Sequence, residues 1–152
     1  MLIMFNSKNI ISQILIKKLL LSGKQTKSLS IYKKFKLLSN VNVQKYNLLQ
    51  QAVLELLVPV EFKCKKIGLI KYQIPYLIHY YKNINIAVSW LIKASKQKSF
   101  NTMPFYKALY LESLSTIKKQ SYAYQFKQNY IKKALINRIF IYLITIKKNN
   151  KI

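Results

Sequence analysis

The chain has almost no negative charge. Glu55, Glu61 and Glu112 are its only acidic residues in a length of 152. They lie far apart and form no motif. With a single histidine, His79, and a single cysteine, Cys64, the side chains that usually move protons in catalysis are nearly absent. One cysteine excludes an intramolecular disulfide, and no Cys/His cluster is spaced for zinc. The two glycines form no phosphate-binding loop. The sequence therefore reads as a protein without catalytic residues, cofactor or metal. His79, set between Ile78 and Tyr80, is assigned a structural or solvent-facing role. Two glycines and three prolines are too few for an all-β protein with its many turns, so long helices are expected. No apolar run is long enough to span a membrane. Residues 139–146 are too few, and Lys17 and Lys18 interrupt the N-terminal apolar segment.

What is present is lysine. The chain carries 27 basic residues and a formal net charge of +24, and only Arg138 is arginine. A surface this positive repels itself unless a polyanion neutralises it. Nucleic acid is the first candidate, because each neutralised phosphate releases condensed counterions. The chain is also 51% hydrophobic, with twelve Tyr, seven Phe and one Trp. It is a single domain of 1–152 with a real core, not a basic tail of low hydrophobicity. Lysine, isoleucine, asparagine and tyrosine have A/T-rich codons. Near-exclusive lysine thus suggests an AT-biased genome such as an organelle's. The segment through Leu21 has the basic amphipathic character of a transit peptide, but it lacks arginine and reads as part of the fold.

Apolar periodicity places the elements. Residues 1–6 are a short lead. Ser7 caps a helix over about 7–21, with Ile10, Ile11, Ile14, Leu15 and Leu19 inward, and Ser22-Gly23 stops it. Thr26 or Ser28 starts a second helix over 26–38, which Ser39-Asn40 breaks. A third, over 42–57, starts at Asn42, carries Leu49, Val53 and Leu56 inward and ends before Pro59. The period then changes to two. Val60, Phe62 and Cys64 alternate with Glu61, Lys63 and Lys65, and Tyr72, Ile74 and Tyr76 alternate with Lys71, Gln73 and Pro75. This predicts a β-ribbon over 59–78 that turns at Lys66-Ile67-Gly68-Leu69. Its polar face is expected to carry Lys63, Lys65 and Lys71. Helices follow over 83–98, over 103–114 (capped by Thr102, with Ala108, Leu111 and Leu114 inward) and over 121–146, the last open to interruption. The fold class is mainly α, about six helices with one two-stranded ribbon.

Specific residues within this order resemble the ribosomal protein S-seven family of the small subunit. Val58-Pro59-Val60-Glu61-Phe62-Lys63-Cys64-Lys65-Lys66-Ile67-Gly68, followed by Tyr72-Gln73-Ile74-Pro75, is similar to that family's ribbon. Ala87-Val88-Ser89-Trp90-Leu91-Ile92-Lys93-Ala94 resembles a helix motif of the same family, and Asn137-Arg138-Ile139-Phe140 a motif near its C-terminus. Gly23-Lys24-Gln25-Thr26 stands where the family has Gly-Lys-Lys-Ser/Thr. Leu69 replaces the second glycine of the ribbon turn, and Gln125-Phe126-Lys127-Gln128 replaces a more basic stretch. The family's basic N-terminal arm is reduced to residues 1–6.

The resemblance implies a structural constituent of the small ribosomal subunit. It implies binding to the 3′ major (head) domain of small-subunit rRNA, support of head assembly, and a position bordering the tRNA exit site and the mRNA exit path. The implied partners are small-subunit rRNA, neighbouring ribosomal proteins of the head and platform, and transiently tRNA and mRNA. The expected rRNA contacts are Lys17 and Lys18; Lys24 and Lys27 at a helix start, where backbone N–H groups attract phosphate; Lys63, Lys65, Lys66 and Lys71 on the ribbon; and Lys93, Lys96 and Lys98 at a helix end, where the helix dipole is an alternative reason for them. Lys65, Lys66, Gly68, Lys127, Lys132 and Arg138 are expected near tRNA or mRNA. Trp90, Tyr72 and Tyr76 are assigned to packing, whereas Tyr80, Tyr81 and Phe126 are candidates for base stacking. The expected location is the mitochondrial ribosome, with a plastid or an AT-rich bacterial cytoplasm as alternatives. The competing function is a peripheral membrane protein with basic amphipathic helices on anionic lipid; DNA packaging is a third.

Overall fold

A computed structural model describes residues 2–41, 47–100 and 103–142. In chain order these form α1 (Leu2–Leu19), α2 (Gln25–Val41), α3 (Leu48–Leu56), β1 (Val60–Ile67), β2 (Ile70–Leu77), α4 (Tyr80–Ser99), α5 (Phe105–Ile117) and α6 (Tyr122–Asn137), followed by a 3-10 turn, Arg138–Ile141. The expected fold class holds: a mainly helical bundle with one two-stranded antiparallel ribbon.

Helix ends differ from the expected ones for local reasons. α1 begins at Leu2, so residues 2–6 are helix and Ser7 is interior to it. Nothing in Leu-Ile-Met-Phe-Asn opposes extension, and adding residues to an existing helix is favourable. At its far end α1 stops at Leu19, two residues short of the expected 21, and beyond it Ser22 and Gly23 take positive φ, 52° and 71°, so the helix does not resume. α2 begins at Gln25 and runs through Ser39 to Val41. Ser39 does not break it, and its Oγ is satisfied inside the helix by donating to the Lys36 carbonyl at 2.8 Å. The expected start of α3 at Asn42 and the cap Thr102 lie outside the described residues, as do 143–146. α4 starts three residues early, at Tyr80, with the His79 carbonyl accepting the N–H of Lys82 and Asn83. α6 starts as expected: Ser121 Oγ accepts the Tyr124 N–H at 3.0 Å.

One core joins all six of these helices. It contains Ile11 and Leu15 of α1, Phe35 of α2, Leu49, Val53 and Leu56 of α3, Ile84, Val88 and Leu91 of α4, Leu109 of α5 and Ala123 of α6. The phase expected for α5 is corrected. Leu111 is exposed and Leu114 half-buried, whereas Ala108, Leu109, Glu112, Ser113 and Thr116 face inward. A polar inner face is tolerated because every member is satisfied. Ser113 and Thr116 hydroxyls donate to the Leu109 and Glu112 carbonyls at 2.8 and 2.7 Å. The fully buried Glu112 carboxylate accepts the Ala123 N–H at 3.0 Å and pairs with Lys98 at 3.4 Å. A carboxylate from α5 thus completes the N-terminus of α6, where backbone donors and the helix dipole favour negative charge.

The ribbon register corrects its expected faces. Glu61 pairs with Tyr76, Lys63 with Ile74 and Lys65 with Tyr72; on the opposite face Phe62 pairs with Pro75, Cys64 with Gln73 and Lys66 with Lys71. Directly opposed residues share a face, so Lys71 is not on the face of Lys63 and Lys65. Each strand's alternation is legible alone. Their relative phase is set by the turn, which has only two residues, Gly68 and Leu69. Gly68 has φ +61°, and Leu69 is not among the residues with positive φ. This is the pattern of a type II′ hairpin turn, which needs glycine only at its first central position. The turn therefore accommodates leucine where the family has a second glycine.

Candidate nucleic-acid interface

The ribbon is held at its base by aromatic and polar contacts. Tyr130 of α6 lies edge-on to both Phe62 (4.9 Å between centroids) and Trp90 (5.1 Å). Tyr72 packs against Phe140 at 5.0 Å. Trp90 and Tyr72 thus pack, as expected, whereas Tyr76 pairs with Glu61 and is engaged through its hydroxyl. Buried Asn83 accepts the Val58 N–H on its Oδ1 at 3.0 Å, tying the start of the ribbon to α4. Glu61 accepts from the Tyr76 hydroxyl at 2.6 Å and from Lys82 at 2.5 Å. Lys82, then Tyr76, hold the Glu61 carboxyl below the usual carboxylate range. The same contact with Glu61 raises Tyr76 and Lys82. Burial raises Tyr130.

This anchoring presents the outer ribbon to solvent. Lys63, Lys66, Gly68 and Lys71 are exposed and Lys65 is half-buried. Lys63 Nζ lies 4.2 Å from the Tyr76 ring centroid, a cation–π contact. Lys66 stands directly opposite Lys71. Like charges in that position destabilise a hairpin, so this end of the ribbon is poised to gain from an anion.

A second cationic surface lies between α1 and α4. Lys18, Ser89, Ile92, Lys93 and Lys96 line an open cleft of about 270 Å³. Ser89, Ile92, Lys93 and Lys96 recur at three- and four-residue steps and so share one face of α4. Lys18 enters from the last turn of α1 and donates to Ser89 Oγ at 2.7 Å. Lys18 and Lys96 stand in the last turns of their helices, where the dipole tolerates positive charge, and Lys93 stands one turn earlier.

Other expected contacts are dispersed. Lys17, Lys24 and Lys27 are exposed, the latter two at the start of α2. Lys132 and Arg138 are exposed. Lys98 points inward to Glu112. Lys127 donates to the Glu55 carbonyl near the end of α3. These two lysines hold helices together. Of the stacking candidates, Phe126 packs against the core and lies under Lys93, whose Nζ is 5.2 Å from its centroid. Tyr80 and Tyr81 are exposed. His79 is exposed too, its ring stacked on Tyr81 at 5.6 Å.

Sequence reasoning passed over Ser89, which organises the cleft, and Lys133, which lies over the Phe62 ring. Ser89 stands four residues before Lys93 on the same helix face, and that spacing was the available signal. Among the described residues no group of three His, Cys, Asp or Glu could hold a metal ion, and no helix is long and apolar enough to cross a membrane.

A family model described as Ribosomal protein S7p/S5e matches residues 3–138. No curated protein matches the chain.

Proposed function

Because the chain belongs to the Ribosomal protein S7p/S5e family of structural, rRNA-binding proteins of the small ribosomal subunit, we propose that it works in the head of that subunit. In this reading it binds the 3′ major domain of the rRNA and supports head assembly. It borders the tRNA exit site and the mRNA exit path, beside neighbouring proteins of the head and platform, and meets tRNA and mRNA transiently.

The observation that carries the reading is the convergence of uncompensated lysines on two presented surfaces. Lys66 faces Lys71 at the outer ribbon, and Lys18, Lys93 and Lys96 line a cleft to which, among the described residues, no carboxylate contributes. Phosphate is the natural complement of both. Lysine is a point charge rather than a planar fork, and helical RNA is selected mainly by shape and backbone. A lysine surface therefore holds the RNA while the fold sets the register. The proposed location is the mitochondrial ribosome, supported by the near absence of arginine.

The test is fractionation of cells expressing the tagged chain. It should remain on small ribosomal subunits from mitochondria after a high-salt wash. Recovery with membranes or liposomes, and not with the particle, would replace this reading by the peripheral-membrane one.

A further inference from the structure

We infer that the cleft between α1 and α4 seats a single RNA phosphodiester group, with Lys18, Lys93 and Lys96 as its ligands and Ser89 as the residue that positions Lys18. The inference rests on the RNA-binding role proposed above and deepens it by naming the group bound.

Ser89 has one hydroxyl proton, and it is committed to the Asn85 carbonyl at 2.8 Å. Its oxygen must therefore accept from Lys18, as the 2.7 Å contact requires. An ammonium has three protons. One is used on Ser89, which fixes the direction of the side chain and leaves two for an incoming oxygen. Lys93 is steadied in turn by the Phe126 ring beneath it. Lys96 follows Lys93 by three residues on the same helix face. The buried side chain of Ile92 belongs to the same lining. Three cations from two helices thus converge on one open cleft, two of them held by neutral groups that leave their charge unspent. An exposed lysine on a solvated face has no such arrangement: its side chain samples many rotamers, and ordering them on binding costs entropy. Here part of that ordering is done by the fold.

A single seat differs measurably from three separate contacts. The logarithm of the affinity for RNA falls with the logarithm of salt by about 0.7–0.9 per neutralised phosphate. The full-length protein is titrated with a head-domain rRNA fragment and with an unrelated structured RNA across a salt series. The combined variant Lys18→Gln, Lys93→Gln, Lys96→Gln is expected to flatten the slope by about one phosphate on both RNAs, because the seat reads backbone and not sequence. A slope unchanged on both RNAs would overturn the inference, and so would a loss worth two or three phosphates. Ser89→Ala is expected to weaken binding in the native background and to change nothing further once Lys18→Gln is present. Equal weakening in both backgrounds would remove Ser89 from its positioning role. Loss of preference for the head-domain fragment by the native protein is a separate result. It would count against the proposed function while the slopes still decide the seat.

Discussion

Replacing Glu112 by alanine should be among the most damaging single changes in this chain. The carboxylate is wholly buried. It accepts the Ala123 N–H at 3.0 Å and lies 3.4 Å from Lys98 Nζ. Glu112→Ala leaves a buried backbone donor at the start of α6 without a partner and Lys98 without its counter-charge. A buried donor left unsatisfied typically costs about 1–3 kcal/mol. The cavity left by deleting a wholly buried side chain raises the total to about 3–5 kcal/mol, whereas Lys98, about a third exposed, reaches water and adds little. Total stability is on the order of 5–15 kcal/mol, so roughly a fifth or more of it is at stake. For a chain of this size the melting temperature should fall by roughly 6–20 °C. Glu112→Gln keeps an acceptor for Ala123 and loses only the charge. Lys98, about a third exposed, can then turn to water, and the cost should be about 1 kcal/mol. Urea unfolding of the free protein measures both. The reasoning fails if the alanine variant loses less than about 1 kcal/mol, or if the glutamine variant is as unstable as the alanine one.

Two further outcomes follow from the same contacts. Glu61 should titrate below its ordinary value of 4.5. A carboxylate with a depressed folded-state pKa stabilises the fold above its unfolded value, and that contribution is lost as pH falls through the lowered value. The base of the ribbon should therefore hold through neutral and mildly acidic pH and loosen only below about 4.5. Carbonyl-carbon NMR of Glu61 in the Lys82→Gln variant should show the titration moving back up, and an unmoved value would remove Lys82 as the main cause. On the outer ribbon, Lys66→Gln with Lys71→Gln should weaken RNA binding and flatten its salt dependence while slightly raising the stability of the free protein, since the two charges oppose each other. Unfolding and RNA titrations on one preparation check both, and a destabilised free protein would contradict the account of that pair.

Much of the fold can be read from periodicity. The stripes of Ile11 and Leu15, of Leu49, Val53 and Leu56, and of Ile84, Val88 and Leu91 are apolar at helical spacing and are buried as expected. The alternation from Val60 to Leu77 gives the ribbon, and Gly68 gives its turn. α5 is the informative failure. Its inner face holds Glu112, Ser113 and Thr116, and only the partners supplied by Lys98, Ala123 and backbone carbonyls make that face suitable for burial. Those partners lie on other elements or in backbone geometry, which a hydrophobic pattern does not record. The same holds for the candidate interface. Charge and element order point to the ribbon and to the end of α4, but nothing local to Lys18 says that it reaches Ser89, 71 positions away. Nor does local pattern separate Lys98 and Lys127, which are used inside the protein, from Lys93 and Lys96, which line the cleft. Lysine is equally suited to a helix C-terminus, a buried carboxylate and a phosphate, and only the fold decides among them.

The central claim is that this lysine-covered helical body recognises one RNA and does not merely attract polyanions. The most direct measurement is the affinity of the full-length protein for the 3′ major domain of its cognate small-subunit rRNA, against an unrelated structured RNA of equal length at the same salt. The account predicts tighter binding to the cognate domain, with the preference surviving as salt rises and the nonspecific part weakens. Equal affinity for the two RNAs across the salt range would contradict it.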